Sequence, residues 1–176
     1  MLLVDADERV SPDLKEEILK TLAVPEAQGY RLLRKNKIFG RWMQGGENAQ
    51  DYQLRLLRRS SARFEGLVHE RIVEEGIKVK KLKSPLYHYS TANISAYMAK
   101  LNQYTALEAR LLRWNKSDSV FKKMIAWPVL KAFQRFFLKK GFEDGFEGFV
   151  FILLSAYYDF IKWVKCWELE QKKPST

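Results

Sequence analysis

The chain has 176 residues, a net charge of +10 and a hydrophobic fraction of 47%, a composition that excludes a collagen-like, low-complexity or largely disordered protein. A domain of this length can bury roughly 70% of the surface that its unfolded chain exposes, so a packed core is possible. The single cysteine, Cys166, excludes an internal disulfide and favours a reducing compartment. The excess of Lys and Arg favours an anionic partner, such as a nucleic acid, a phosphate ester or a phospholipid surface.

The apolar residues predict neither a signal peptide nor a membrane-spanning helix. Residues 1–4 are apolar but are followed at once by Asp5, which is too early for an export signal. The longest uncharged apolar stretch, 148–158, has eleven residues, whereas a spanning helix needs about 20.

The first half of the chain, up to about residue 90, predicts a mixture of strands and one helix. Ser11 is expected to cap a helix that has Pro12 at its first position and ends before Pro25. Short apolar or alternating segments predict five strands, at residues 2–4, 30–34, 53–58, 63–69 and 86–89. A glycine-containing loop at 39–50 separates the second strand from the third.

The second half, from residue 91 onward, predicts a helical region. Apolar residues at helical spacing predict helices at about 93–114, after Pro128 and at about 146–167. In the second of these, Lys131, Arg135 and Lys139 share one face, and aromatic and aliphatic residues occupy another. Such a helix is expected to lie in the headgroup layer of an anionic membrane; the alternative is an amphipathic helix packed on the rest of the protein.

Two carboxylates, Asp5 and Asp7, follow the first predicted strand. In an extended segment, residues i and i+2 project to the same side, so the two can converge on one point. Hard divalent cations such as Mg²⁺ and Mn²⁺ take oxygen ligands. The pattern therefore predicts a cation site, and the alternative is an acidic turn that leads into the Ser11 helix.

Four ordered segments resemble one known family. They are residues 3–11 (LVDADERVS), the Gly40-Arg41-Trp42 and Gly45-Gly46 loop, residues 51–59 (DYQLRLLRR) and residues 64–70 (FEGLVHE). With residues 86–89 (LYHY) and the helical tail, they resemble the family 2 glycosyltransferases of the GT-A fold, and within these the bacterial lipopolysaccharide-core β-1,4-glucosyltransferases. The resemblance implies an α/β protein, of which this part has an α+β arrangement. Residues 1–90 would form the C-terminal half of a Rossmann-like GT-A domain, and residues 91–176 would form an amphipathic helical region that associates with a membrane. It also implies that an N-terminal nucleotide-binding half is absent.

The resemblance implies an inverting hexosyltransferase. By this resemblance, the transferred sugar is expected to be glucose, and the donor is expected to be a nucleotide diphosphate sugar such as a UDP-sugar. The expected acceptor is a lipopolysaccharide-core or other lipid-linked saccharide. The expected cofactor is Mg²⁺ or Mn²⁺. The expected location is the cytoplasmic face of the bacterial inner membrane, with an anionic membrane surface and no nucleic acid as partner. Two alternatives remain: a non-catalytic basic module that binds a membrane or RNA, and a truncated remnant without turnover.

The resemblance also assigns the cation and donor residues. Asp7 is expected to bind the cation, with Asp5 nearer the nucleotide sugar. His69 and His88 compete for a further metal-ligand position, and either could instead be a hydrogen-bonded core histidine. Glu70 is expected to orient His69 or to contact the acceptor sugar.

Asp51 is the expected general base, because it follows the glycine loop and precedes an apolar strand at the rim of the cleft. A solvated aspartate that caps the strand is the alternative, and Glu47 is the second candidate base. Arg55 and Arg58 are expected to bind phosphate oxygens of the donor, unless the arginines form the charged face of an edge strand.

An acceptor-binding surface is expected in the loop before Asp51. Trp42, beside Gly45 and Gly46, could form a stacking platform for the ring of the acceptor sugar. The alternative is a tryptophan that packs within its own loop.

Overall fold

The computed structural model describes residues 1–48, 51–65, 71–72, 74–112, 119 and 121–172, with the backbone alone at residues 64, 65 and 71. The chain divides into two compact units. The first comprises Met1–Lys37 and Asn48–Ser90, and the second comprises Ile38–Glu47 and Thr91–Thr176. The segment 38–47 belongs to the same unit as the helices from residue 91 onward. The predicted domains, residues 1–90 and 91–176, stay a prediction.

The strands of the described residues are β1 (Glu8–Val10), β2 (Gly29–Ile38), β3 (Arg41–Trp42), β4 (Tyr52–Leu57), β5 (Phe64–Glu65), β6 (Arg71–Ile72) and β7 (Val79–Thr91). Most of the main antiparallel sheet belongs to the first unit, whereas β3 and the last residues of β2 and β7 belong to the second. In the five-stranded main sheet the order is β1, β7, β2, β3, and β4 also pairs with β2, while β5 and β6 form a separate pair. The antiparallel register of β1 and β7 sets Glu8 opposite His88.

The predicted helix after Ser11 is confirmed as α1 (Pro12–Ala23). The Ser11 hydroxyl accepts a hydrogen bond from the Leu14 N–H at 3.1 Å, which satisfies one of the free donors of the first turn. One face of α1 packs on the sheet, and each large apolar side chain buried there contributes about 2 kcal/mol. The core side chains of this unit are Leu14, Ile18, Tyr30, Leu32, Leu56, Leu82 and Leu86.

The predicted strand at residues 2–4 is wrong. Leu2 makes only an isolated bridge to Leu56, and the first strand begins at Glu8 because Asp5 to Glu8 forms a turn, in which the Glu8 N–H donates to the Asp5 carbonyl at 3.0 Å. The strand predicted at 30–34 is part of the longer strand β2. The strand predicted at 86–89 lies in the second half of β7. Of the strand predicted at 63–69, residues 66–69 lie outside the described part of the chain.

The helical prediction for the second unit is confirmed. Its helices are α2 (Ile94–Leu111), α3 (Trp127–Phe133) and α4 (Gly145–Gln171), and α3 is extended at both ends by π-helical turns, Phe121–Ala126 and Gln134–Leu138. Asn93 caps α2 by accepting the Ala96 N–H at 2.8 Å.

The mixed α+β fold class is therefore confirmed. Cys166 is a buried thiol that packs with Ala109 and Met124 in the core of the second unit. Among the helices that the structure describes, none combines the length and the apolar character needed to cross a bilayer.

Candidate functional site

The turn from Asp5 to Glu8 is held in place by its own backbone and by β7. The Asp5 N–H donates to Glu8 Oε2 at 2.9 Å, and the Tyr89 N–H donates to the carbonyl of Asp7 at 2.8 Å. Because the segment turns here, it is not extended, and the argument that residues i and i+2 project together does not apply to Asp5 and Asp7. The two carboxylates have different partners.

Asp5 pairs with an arginine of the neighbouring strand β4. The Arg55 guanidinium is hydrogen-bonded to the Asp5 carboxylate and, at 2.8 Å, to Glu8 Oε1. Arg34 Nη1 of β2 lies 3.8 Å from the same Glu8 oxygen, and the Glu8 side chain is fully buried. Glu8 is thus a buried carboxylate between two guanidinium groups, which is the arrangement that makes a buried charge tolerable.

Asp51 is surrounded by donors. Its carboxylate accepts from Arg34 Nε at 2.7 Å, from Asn36 Nδ2 at 2.9 Å and from Gln53 Nε2 at 2.6 Å. Burial raises the pKa of Asp51, but the hydrogen bonds from Asn36 and Gln53 and the charge of Arg34 outweigh it, so the pKa lies below its ordinary value. A carboxylate with a lowered pKa is a weaker proton acceptor, and the role of Asp51 as the general base stays a prediction.

His88 lies between Asn36 and Asp7. Its Nδ1 is 2.6 Å from Asn36 Oδ1, and its Nε2 is 3.4 Å from Asp7 Oδ2. Burial is the largest effect that lowers the pKa of His88, and the charge of Arg34 is the second. Asp7 and Glu8 raise the pKa, but the pKa remains below its ordinary value. These effects together favour the neutral imidazole over the imidazolium.

The hydrogen bonds of Asn36 settle which nitrogen of His88 carries the proton. Ionised Asp51 can only accept, so the Asn36 atom that faces it must be the amide nitrogen, and the atom that faces His88 must be the carbonyl oxygen. Nδ1 of His88 must then donate. In the neutral ring, Nε2 carries a lone pair, and this lone pair faces the carboxylate of Asp7.

Asp7 Oδ2 and His88 Nε2 lie 3.4 Å apart, and in the neutral ring each of these atoms carries a lone pair. Such a pair is stabilised by a cation, and a carboxylate with a neutral imidazole held by a second hydrogen bond is a suitable ligand set for Mn²⁺ or Mg²⁺. No cluster of three or more acidic, histidine or cysteine ligands occurs within the described ranges. A cation here would need further oxygen ligands, and Mg²⁺ commonly takes these from substrate phosphates and water.

Four residues of this network were not singled out from the sequence: Glu8, Arg34, Asn36 and Gln53. A signal for two of them exists, because the inward-facing positions of β2 change from Tyr30 and Leu32 to Arg34 and Asn36. Polar residues at inward-facing positions of a strand need partners and mark a polar network. The predicted strand ended at Arg34, so this change was not visible.

Arg58 makes no contact with this network, and the acceptor-side residues that the structure describes belong to the second unit. Arg58 follows the last residue of β4 and its side chain is exposed, so of the two arginines only Arg55 contacts the site carboxylates. Trp42 is half-buried in β3 of the second unit. His69 and Glu70 lie outside the described residues.

Both glycines of the predicted acceptor surface have structural reasons to be glycine. A Cβ on Gly45 would lie 2.3 Å from the carbonyl oxygen of Lys140, and Gly46 has a φ of +64°. The Gly45 N–H donates to the buried Asp144 carboxylate at 2.9 Å. These contacts hold the loop on the helical unit, and they neither require nor exclude an acceptor sugar.

Glu47, the second candidate base, is paired with cations. It lies 3.2 Å from Arg135 Nη2 and 3.3 Å from Lys139 Nζ. Burial raises the pKa of Glu47, but Arg135 and Lys139 outweigh this effect, and the pKa lies below its ordinary value. Glu47 belongs to the second unit, whereas Asp7, Asp51 and His88 belong to the first.

Curated proteins with similar sequences are glycosyltransferases. The lipopolysaccharide core biosynthesis glycosyltransferase LpsC of Rhizobium meliloti (strain 1021) is 28% identical over 169 residues, which cover 94% of this chain and 62% of that protein. An uncharacterised glycosyltransferase of Rickettsia bellii (strain RML369-C) is 29% identical, covering 100% of this chain and 64% of the relative. One of Rickettsia typhi (strain ATCC VR-144 / Wilmington) is also 29% identical, covering 98% and 63%.

Neither family models nor solved structures add to this result. No family model matches the chain, and no solved structure is significantly similar to it. The chain spans about 62 to 64% of the length of the three curated relatives. Over nearly its whole length, the chain is similar in sequence to bacterial glycosyltransferases, at 28 to 29% identity.

Proposed function

We propose that the protein transfers a sugar from a nucleotide diphosphate donor to a saccharide acceptor, with a divalent cation held at Asp7 and His88. The observation that carries the proposal is the proximity of Asp7 Oδ2 and His88 Nε2, atoms of two metal-ligating residue types that lie 3.4 Å apart. The homologous glycosyltransferases support the reaction class. A bound Mg²⁺ or Mn²⁺ would offset the negative charge that develops on the departing diphosphate.

Each residue around the pair has a defined task. Asn36 holds Nδ1–H of His88 and thereby keeps the Nε2 lone pair directed at the site. Arg55 fixes the turn through Asp5 and Glu8, and the Asp5 side chain is 54% exposed, so it is accessible to the donor. In the transfer, the acceptor oxygen loses its proton and bonds to the anomeric carbon, while the bond from that carbon to the diphosphate breaks. Asp51 remains the proposed proton acceptor.

The finer assignments follow the resemblance and the named relatives. We propose an inverting, family 2 enzyme of the GT-A fold. Its proposed donor is a UDP-hexose, and glucose is the first candidate for the transferred sugar. Because LpsC is named for lipopolysaccharide core biosynthesis, the proposed acceptor is a lipid-linked core saccharide. The proposed place of action is the cytoplasmic face of the inner membrane, where such an acceptor meets a nucleotide sugar.

The test measures the release of nucleoside diphosphate from a panel of nucleotide sugars, with Mn²⁺ or Mg²⁺ and a lipid-linked core acceptor. Asp7→Asn is expected to reduce the rate by about 100-fold or more, because the carboxylate that holds the cation is lost. The matched control is Asp13→Asn, which changes an exposed carboxylate in the first turn of α1. Equal rates for the wild type and Asp7→Asn would contradict the proposed role of Asp7.

A further inference from the structure

A line of exposed apolar side chains follows the helix of residues 121–138 in the second unit. We call it the apolar stripe, and it consists of every fourth residue: Phe121, Ile125, Val129, Phe133 and Phe137. Their exposed fractions lie between 49% and 63%, and the neighbouring Leu130 and Leu138 are 61% and 72% exposed. A surface helix of a water-soluble unit normally buries such a face.

The π-helical turns keep this stripe on one side of the helix. Four residues make slightly more than one full turn of an α-helix, which has about 3.6 residues per turn, and slightly less than one full turn of the wider π-helix. The helix has π turns at Phe121–Ala126 and Gln134–Leu138 and an α-helical middle, Trp127–Phe133. Residues spaced four apart therefore drift around the axis in opposite directions in the α-helical and π-helical parts, and the side chains of the stripe stay on one side of the helix.

Two cations of the same helix, Lys131 and Arg135, point toward the unit instead of the solvent. Lys131 Nζ lies 3.3 Å from Asp159 Oδ2, and Arg135 lies 3.2 Å from Glu47 and 3.9 Å from Asp159. The Arg135 side chain is 17% exposed and that of Asp159 is 8% exposed. The sequence predicts these cations at the lipid headgroups; that orientation is wrong for Lys131 and Arg135, because buried or half-buried acids of the same unit pair with them.

Helix α4 repeats the pattern. Phe146, Phe149, Leu153 and Tyr157 recur at steps of three or four residues and are all exposed by 42% or more. Exposed apolar patches of this extent mark binding surfaces for proteins or membranes.

We propose that the apolar stripe inserts into the interfacial layer of an anionic lipid bilayer and so docks the second unit on the membrane. Charge favours lipid over an apolar protein surface. Residues 119–142 contain no acid, and Lys122 and Lys140, near the two ends of the stripe, are exposed. An apolar face flanked by exposed cations fits acyl chains beneath anionic headgroups. The proposal deepens the proposed function, since a lipid-linked acceptor requires an enzyme at the membrane surface.

The test is flotation of the protein with vesicles of phosphatidylglycerol and phosphatidylethanolamine, in 0.5 M NaCl and without donor or acceptor. Phe133→Ser with Phe137→Ser removes two side chains of the stripe, and Leu19→Ser with Leu22→Ser is the matched control on α1, where both leucines are more than half exposed. Each large apolar side chain withdrawn from water contributes about tenfold to partitioning. The stripe variant is therefore expected to bind vesicles at least about tenfold more weakly, and the control is expected to bind as the wild type does.

Two further variants keep the outcome interpretable. Phe133→Leu with Phe137→Leu preserves the apolar face and is expected to float like the wild type, which separates insertion from a loss of folding. Asp7→Asn is also expected to float normally, so a failure of the sugar-transfer proposal and a failure of this one are distinguishable. The proposal is overturned if the wild type does not bind the vesicles or if the serine variant floats equally well. It is also overturned if the substitutions change only the dimerisation of the protein, measured without lipid.

Discussion

Asn36 connects the two halves of the candidate site. It donates to Asp51 and to Asn48, at 2.9 and 3.0 Å, and its carbonyl oxygen accepts from His88. Since it is 3% exposed, none of these bonds can be replaced by bulk water without opening the structure. The orientation of the proposed metal ligand His88 therefore depends on the buried Asn36, which we interpret as a positioning residue.

Replacing Asn36 by Ala should weaken both stability and cation binding. Leaving buried donors and acceptors without partners is expected to cost about 2 to 3 kcal/mol in the free energy of unfolding, measured with urea. Losing the bond that orients His88 should reduce Mn²⁺ affinity by about 10- to 100-fold. Asn48→Ala, which removes one of the three bonds, serves as the control for stability. An Asn36→Ala protein with unchanged Mn²⁺ affinity would show that the orientation of His88 does not matter.

Asp51 should contribute stability that depends on pH. A carboxylate whose pKa is lower in the folded protein stabilises the fold above its unfolded pKa, and this contribution is lost as the pH falls through the lowered value. We expect Asp51→Asn to lower the free energy of unfolding at pH 7 by about 2 kcal/mol. The difference from the wild type should shrink below the ordinary pKa of 3.8. A difference that stays constant from pH 7 to pH 3 would contradict this account.

The residues of the site differ in how far the sequence could identify them. Asp7 and His88 stand out singly, one in an acidic triplet and the other as one of two histidines. Their proximity depends on the antiparallel register that sets Glu8 opposite His88, and no local pattern encodes that register. Asn36 lies beyond the end of the predicted strand 30–34, and Arg34 is its last residue, so the change to polar inward-facing residues is not evident from that prediction.

At the scale of elements, helices were predicted better than strands. The helix α1 has a cap, a proline at its first position and regular apolar spacing, so local signals agree with the fold. Strand β1 has three residues and owes its place to pairing with β7, which is a long-range effect. The acidic segment before it turns because Glu8 bonds the backbone of Asp5, so the two aspartates do not share a face as an extended segment would require.

The loop at 38–47 gives a test of close packing. Gly45→Ala would set a Cβ 2.3 Å from the carbonyl oxygen of Lys140, a backbone atom that cannot easily move. We expect a loss of about 2 kcal/mol or more in the free energy of unfolding, because overpacking forces the loop and the helix end apart. Gly29→Ala is the matched control, since its Cβ meets only movable side chains, the nearest being Leu54 at 3.0 Å. Equal stability of the two variants would contradict the contact.

At the scale of the whole molecule, the composition allowed a packed core, and the residue patterns predicted the mixed fold that the structure confirms. The anionic partner that the charge favours stays a prediction. The 31 Lys and Arg residues overstate the number of free cations, because Arg34, Arg55 and Arg135 are paired with acids. The helical spacing at 128–139 identified an amphipathic helix. It could not show which face packs inward, because that depends on Asp159 and Glu47, which are distant in sequence.

The central claim is that Asp7 and His88 share one cation, and a titration with Mn²⁺ in the presence of uridine diphosphate tests it most directly. The wild type, Asp7→Asn, His88→Ala and the double variant are compared, with Asp13→Asn as the control. If the two residues share a cation, each single variant should bind Mn²⁺ at least about tenfold more weakly, and the double variant should lose less than the sum of the two effects. Wild-type affinity in both single variants would contradict the account.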